Sequence, residues 1–293
     1  MEKKKKIILI VSLAVALIAA GLVLFFVLRE KGYRLLKVYE VEGEANVTRE
    51  DIGDIAPYNN MVLESGDLVS LITGDMCLKA DEDKYIYLED GTKLILKASG
   101  TSENSRTTIE LLSGAITNDV QNKLSEESTY EVNTPNSTMM IRGTIFRVAV
   151  YEENGIKYTR VTTFEGSVVT KLIRKDGTVS DEEVVIEKGK EVLIYEDEST
   201  VDYVSAPQDI DFATVPNKVL EVVRGAKNDG RDVALLTGSA TVTFMYNGKV
   251  FGTQVVPIGG KATRPTLKPA QTGDWEFDFD QETITGDITI EWK

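Results

Sequence analysis

The chain of 293 residues carries 47 Asp/Glu against 33 Lys/Arg, a formal net charge of −14, with no histidine and one cysteine. An acidic surface repels nucleic acid, so no nucleic-acid partner is expected, and the lone Cys77 rules out a disulfide framework within the chain. The lack of histidine removes Ser-His-Asp and Cys-His catalysis and every His-ligated zinc site.

Charge is uneven along the chain. Residues 1–34 hold seven Lys/Arg and two Glu, while the remainder holds 26 basic and 45 acidic residues. Met1 to Lys6 form a basic start, read as a cytoplasmic tail. Ile7 to Leu28 then run 22 residues with Ser12 as the one polar side chain. As a helix at 1.5 Å per residue this run spans about 33 Å, enough for a bilayer core. It continues beyond the small residues Ala19-Ala20-Gly21, which predicts an uncleaved transmembrane anchor over 7–28 and not a signal peptide. Lys3 to Lys6 balance Arg29, Lys31, Arg34 and Lys37 on the far side, so the positive-inside rule leaves the orientation open.

Residues 38–204 read as β throughout. Asp90-Gly91 separates Tyr85–Leu88 from Leu94–Leu96, a hairpin signal. Asn154-Gly155 separates Phe146–Val150 from Tyr158–Val161, a stronger one. Asp176-Gly177 does the same between Val168–Ile173 and Glu183–Ile186. Glycines at 43, 66, 91, 114, 143, 166 and 189 recur at intervals of 23, 25, 23, 29, 23 and 23 residues. Such a period fits strand-turn-strand units stacked as a β-solenoid or roll, with a sandwich as the alternative.

The most unusual stretch runs from Thr134-Pro135 through Met140-Ile141-Arg142-Gly143-Thr144-Ile145-Phe146-Arg147-Val148. Gly143 marks a turn or a close backbone approach, because only Gly takes φ > 0 freely. Ile145, Phe146 and Val148 predict a buried strand. Arg142 would then tie down a corner of the fold through carbonyls or a carboxylate, since a buried guanidinium must find acceptors.

Ser205-Ala206-Pro207 opens a linker over 205–236. Pro216 can start a short helix there and Gly225 can end it, with Val215, Val219, Val222 and Val223 on one face. From Gly238 the pattern returns to β, with Asn247-Gly248 between Thr241–Phe244 and Thr253–Val256. The aromatics Trp275, Phe277, Phe279 and Trp292 are expected to form the core of this last unit, residues 237–293.

The carboxylate runs Asp81-Glu82-Asp83, Asp181-Glu182-Glu183 and Glu196-Asp197-Glu198 lack the spacing of a calcium loop and read as solvated turns. No Gly-rich phosphate loop, Gly-x-Ser-x-Gly or acid–base pair can be named. No catalytic residue, cofactor site or metal site is therefore expected, and the protein is not read as an enzyme. Cys77 reads as a small buried hydrophobe.

Thr134-Pro135 followed by Ile141-Arg142-Gly143-Thr144-x-Phe146-x-Val148 resembles the signature of the FecR family. Val41-Glu42-Gly43, Leu63-Glu64-Ser65-Gly66-Asp67, Leu111-Leu112-Ser113-Gly114 and Phe164-Glu165-Gly166-Ser167-Val168 extend the likeness over 38–204. The resemblance implies an all-β extracytoplasmic domain of a bacterial transmembrane regulator. It makes Thr134, Pro135, Arg142, Gly143, Thr144, Phe146, Glu165 and Gly166 signature residues, read here as structural. The stretch from Val242-x-Phe244 through Asn247-Gly248, Gln254-Val255-Val256, Gly259-Gly260, Ile284 and Asp287-Ile288-Thr289-Ile290 to Trp292 resembles a Listeria–Bacteroides repeat of the internalin B type. That likeness implies a small β-grasp-like module of bacterial cell surfaces, with its aromatics at shifted positions.

The combined expectation is an all-β, single-pass membrane protein with its N-terminus in the cytoplasm and its β domains outside. It would bind or sense a protein or cell-wall partner there and signal through a partner; the alternative is a structural or adhesive envelope protein. Family members bind a sigma factor through a cytoplasmic domain. Six cytoplasmic residues cannot bury about 800 Å² of interface, so no direct sigma-factor contact is expected.

Overall fold

The computed structural model describes residues 35–101, 104–141, 143–197, 200–236, 238–265, 269 and 272–293, side chains 196–203 excepted. In chain order the strands of the main body are β1 (Leu36–Arg49), β2 (Gly53–Ile55), β3 (Leu68–Ala80), β4 (Lys84–Leu88), β5 (Lys93–Ser99), β6 (Arg106–Val120), β7 (Thr129–Asn133), β8 (Ser137–Ile141), β9 (Ile145–Glu153), β10 (Ile156–Glu165), β11 (Ser167–Leu172), β12 (Val184–Glu187), β13 (Lys190–Asp197), β14 (Thr200–Val204) and β15 (Gln208–Asp209). A 3₁₀ turn at Phe212–Thr214 leads to the helix α1 (Asn217–Asn228). A second, three-stranded sheet is made of β16 (Ser239–Tyr246), β17 (Lys249–Pro257) and β18 (Ile288–Glu291).

Alternation along each strand supplies one buried and one outward face. In β5, Leu94 and Leu96 are buried between exposed or half-buried neighbours. Hydrogen bonds join the main body into one 15-stranded sheet. That sheet is folded in two, because its long strands change partners halfway. The first half of β3 pairs with β5 and the second half with β4. The first half of β6 pairs with β5 and β7, the second with β4 and β9. One leaf therefore contains β4, β9, β10 and β13, and the other β5, β7, β8, β11 and β12. Between them lies the main core, with Leu78, Ile86, Ile116, Phe146 and Val161 from the first leaf and Leu71, Leu96, Ile109, Val132 and Val168 from the second. The buried Tyr130 hydroxyl donates to Asn118 Oδ1 at 2.8 Å, joining one leaf to the other through the core.

The fold line explains the glycine series. Gly43, Gly74, Gly91, Gly114, Gly143, Gly166 and Gly189 all have positive φ and stand where the chain passes from leaf to leaf. Gly43 and Gly74 are paired in register, and a Cβ on either would run into the other's backbone. At Gly166 a Cβ would lie 2.8 Å from Gly143 O. The recurrent interval of 23 residues thus counts one excursion down a leaf and back, and not a solenoid coil. Gly66 does not belong to the crease: it sits in a loop, donating to Leu96 O at 2.9 Å, and Gly74 takes its place. Asp90-Gly91 is likewise a corner and not a hairpin, since β4 and β5 bond to β3 and β6 but not to each other. Asn154-Gly155 does close the β9–β10 hairpin, with φ of 53° and 79°.

Helix α1 lies on the outer face of the first leaf. It starts after Pro216 and runs past Gly225 to Asn228. Val215, Val219, Leu220, Val223 and Ala226 pack there with Ile145, Phe164 and Ile210. The second sheet pairs β16 antiparallel with β17 and parallel with β18. Phe244, Trp275, Phe279, Ile284 and Ile290 fill its core, with Phe277 and Trp292 packed against it.

The expected membrane anchor is corrected. The run 7–28 lies outside the described residues, and among the described residues no helix is long and apolar enough to cross a membrane. Helix α1 has 12 residues, about 18 Å against a bilayer core of about 30 Å, and carries Lys218, Glu221, Arg224 and Lys227. The all-β class stands, but no single-pass anchor is shown, and the cytoplasmic N-terminus and extracellular domains lose their basis with it. Without that anchor, the expectation of no direct sigma-factor contact has no basis either.

Candidate ligand cleft on the outer face of the β body

Pleating turns every second residue of the first leaf outward. Register aligns seven such residues in a row across the strands: Glu40, Cys77, Tyr87, Thr117, Arg147, Thr162 and Glu191. Helix α1 leans over part of this row and leaves a cleft of about 310 Å³. Cys77, Tyr87 and Thr117 line it from the sheet and Val219 and Val222 from the helix; Met76 and Leu88, which belong to the main core, border it; Glu40, Glu42, Asp75, Glu89, Lys218 and Glu221 ring it.

The cleft is strongly acidic, and its charges divide into two groups. Arg147 Nε and Nη2 donate to Glu89 Oε1 and Oε2 at 2.6 and 2.8 Å, a bidentate pair. Lys218 of α1 pairs with Asp75. Among the described residues Glu40, Glu42 and Glu221 make no ion pair. Thr117 is 1 % exposed, and its Oγ1 has no hydrogen-bond partner among the described residues. A buried hydroxyl without a partner costs about 1–3 kcal/mol, so a hydrogen-bonding ligand atom at Thr117 would be favoured.

Cys77 is 5 % exposed, and its thiol is pushed up to about 12, first by burial and further by the carboxylates of Glu40 and Asp119. At neutral pH it is a thiol, a weak nucleophile. Burial also raises the Tyr87 phenol. At the far end of the row burial raises the Glu191 carboxyl, opposed by Arg160 and by the hydroxyl of Thr162, which donates to Glu191 Oε2 at 3.3 Å.

The signature residues lie elsewhere. Thr134 is buried in a hydroxyl–amide knot with Asn136, Ser137 and Thr159, where Thr159 Oγ1 donates to Asn136 Oδ1 at 2.6 Å. Pro135 is exposed beside it. Gly143 and Gly166 face each other at the crease, Thr144 is buried next to them, and Phe146 is in the core. Arg142 lies outside the described residues. Among the described residues the guanidinium at this corner is Arg231, from the segment after α1: Nη1 donates to Asp119 Oδ1 at 2.7 Å, and Nη2 pairs with Glu165. None of the seven signature residues that the structure describes lines the cleft.

Sequence reasoning passed over Thr117 and the acidic ring. No sequence signal marked them: Ala115-Ile116-Thr117-Asn118-Asp119-Val120 mixes polar and apolar residues, yet the structure buries all six. The carboxylates singled out earlier are partly neutralised by neighbours, with Lys84 Nζ 2.7 Å from Asp83 and Lys79 Nζ 3.0 Å from Glu82. Among the described residues no group of three or more His, Cys, Asp or Glu could hold a metal ion.

Residues 76–169, from the second half of β3 to β11, match the family described as FecR protein, which supports a FecR domain over about a third of the chain. A search of the curated proteins finds no match. Similar solved structures include two of a protein from Parabacteroides distasonis ATCC 8503 proposed to be an anti-sigma factor. Both are 15 % identical, cover 49 % and 51 % of this chain and 60 % and 58 % of their own, and have TM-scores of 0.38 and 0.34. The chain thus spans less than two thirds of either. The internalin-type likeness of residues 240–293 has no counterpart among these matches.

Proposed function

We propose that the protein works in signalling as a partner-binding module, with the cleft between α1 and the first leaf as its recognition point. The observation that carries this reading is the unbonded, buried Thr117 hydroxyl on the floor of a cavity of 310 Å³. A cavity of that size is at the lower end of ligand pockets. The FecR match over 76–169 supports the signalling side of the proposal. A catalytic reading has no comparable support, since burial keeps Cys77 a thiol, a weak nucleophile, at neutral pH. The signature residues Thr134, Pro135, Gly143, Thr144, Phe146, Glu165 and Gly166 act structurally in this proposal, by holding the crease and its neighbouring turn. The internalin-type likeness is proposed to describe the architecture of the second sheet and not a contact surface.

The test places a photo-crosslinking amino acid at Val222, on the cleft wall, in the full chain within the cells that make it. A second variant carries it at Val185, exposed on the other leaf. A discrete adduct at position 222 and none at 185 is expected. Adducts at 185 alone, or at neither position, would overturn the cleft as the recognition point.

A further inference from the structure

We infer that the cleft takes an alkylammonium group carried on an apolar stem, such as a lysine side chain presented by a partner or a small free amine. The inference rests on the binding reading above and names the chemistry of its ligand. Glu40, Glu42 and Glu221 supply negative charge with no ion-pair partner among the described residues. The walls between them are apolar, so a ligand must bring a hydrocarbon stem as well as a charge. Thr117 Oγ1 offers a buried acceptor at the base.

The geometry prefers an ammonium to a guanidinium or a metal ion. A guanidinium seeks a carboxylate presented for two parallel bonds. Glu89 is presented in that way, and Arg147 already holds it. An ammonium has three donors that can be divided between a hydroxyl and separate carboxylates. Three or more clustered ligands for a metal are not found among the described residues. The protein also shows the same chemistry at the mouth of the cleft, where the Lys218 ammonium rests on Asp75. A cavity of 310 Å³ suits one long side chain or one small amine, and not a folded segment.

The experiment is calorimetric titration of the full chain with four probes: acetyl-Leu-Lys-Leu-amide, n-pentylamine, and their uncharged counterparts acetyl-Leu-Gln-Leu-amide and 1-pentanol. The charged probes should bind at one site, at least tenfold more tightly than the uncharged ones. Glu40→Gln with Glu42→Gln should weaken that binding about tenfold, and Thr117→Val severalfold. The same charge change at Glu182 and Glu183, on the other leaf, should leave it unaltered. A peptide tenfold tighter than pentylamine points to a partner's lysine; equal affinities point to a free amine. Equal binding of charged and uncharged probes, or binding untouched by the cleft variants, would overturn the assignment. If amines fail while the Val222 adducts persist, the ligand chemistry is wrong and the binding reading survives. If both fail, the cleft is not a binding site.

Discussion

Gly74 and Gly66 make a matched pair for testing the crease. Their φ values are 107° and 105°, so alanine meets similar backbone strain at both, about 1–3 kcal/mol. Their surroundings differ. A Cβ at Gly66 meets nothing within 4 Å, whereas one at Gly74 meets Glu42 O and lies 2.9 Å from Gly43 Cα. Backbone atoms in a paired register cannot swing aside, so the crease itself must open. Overpacking of this kind costs about 1–3 kcal/mol beyond the strain. Gly74→Ala should therefore lose about 2–6 kcal/mol from strain and overpacking together, and Gly66→Ala about 1–3 kcal/mol from strain alone. Urea unfolding of the full chain measures both. At about 2 kcal/mol per molar urea the difference appears as a midpoint gap of about 0.5–1.5 M. Circular dichroism follows the β body, while fluorescence follows the second sheet, because Trp275 and Trp292 are the chain's two tryptophans. Equal losses at the two positions would refute the close approach at the crease.

Three further outcomes follow from side-chain geometry. Arg231→Ala leaves Asp119 buried without its guanidinium and should cost about 2–4 kcal/mol in urea unfolding, a loss that Arg231→Lys only partly restores. Thr117→Val removes a buried hydroxyl with no hydrogen-bond partner among the described residues, so thermal unfolding should show unchanged or higher stability, by up to about 1 kcal/mol. Cys77 should react with an aromatic disulfide reagent at least a hundredfold more slowly in the folded chain than in urea at pH 8. Because its folded value is raised, the stability it contributes is complete below pH 9 and is lost as pH rises from about 9 to about 12. A fast reaction in the folded chain would contradict its burial.

The fold was legible in the sequence where local chemistry dictates it. Asn154-Gly155 and Asn247-Gly248 need positive φ at both positions, and both close hairpins. The glycine series was visible too, but its meaning was not. A spacing of 23 residues arises equally from stacked coils and from a sheet creased along one line, and only the pairing partners of β3 and β6 tell them apart. Asp90-Gly91 misled for the same reason, since a turn signal says that the chain bends and not which strands then pair. The cleft was hidden because its parts come from β1, β3, β4, β6 and α1, as far apart in sequence as Glu40 and Val222. No local pattern marks Thr117 as unbonded or brings Glu40 near Glu221. Arg231 was missed because its partners Asp119 and Glu165 are distant in sequence.

The most direct test of the cleft is an amide chemical-shift map of the isotopically labelled full chain during titration with acetyl-Leu-Lys-Leu-amide. Cys77, Tyr87, Thr117, Val219 and Val222 should move together and saturate along one curve. Shifts absent from these five, or confined to exposed acidic turns such as Asp181 to Glu183, would contradict the cleft as the site of recognition.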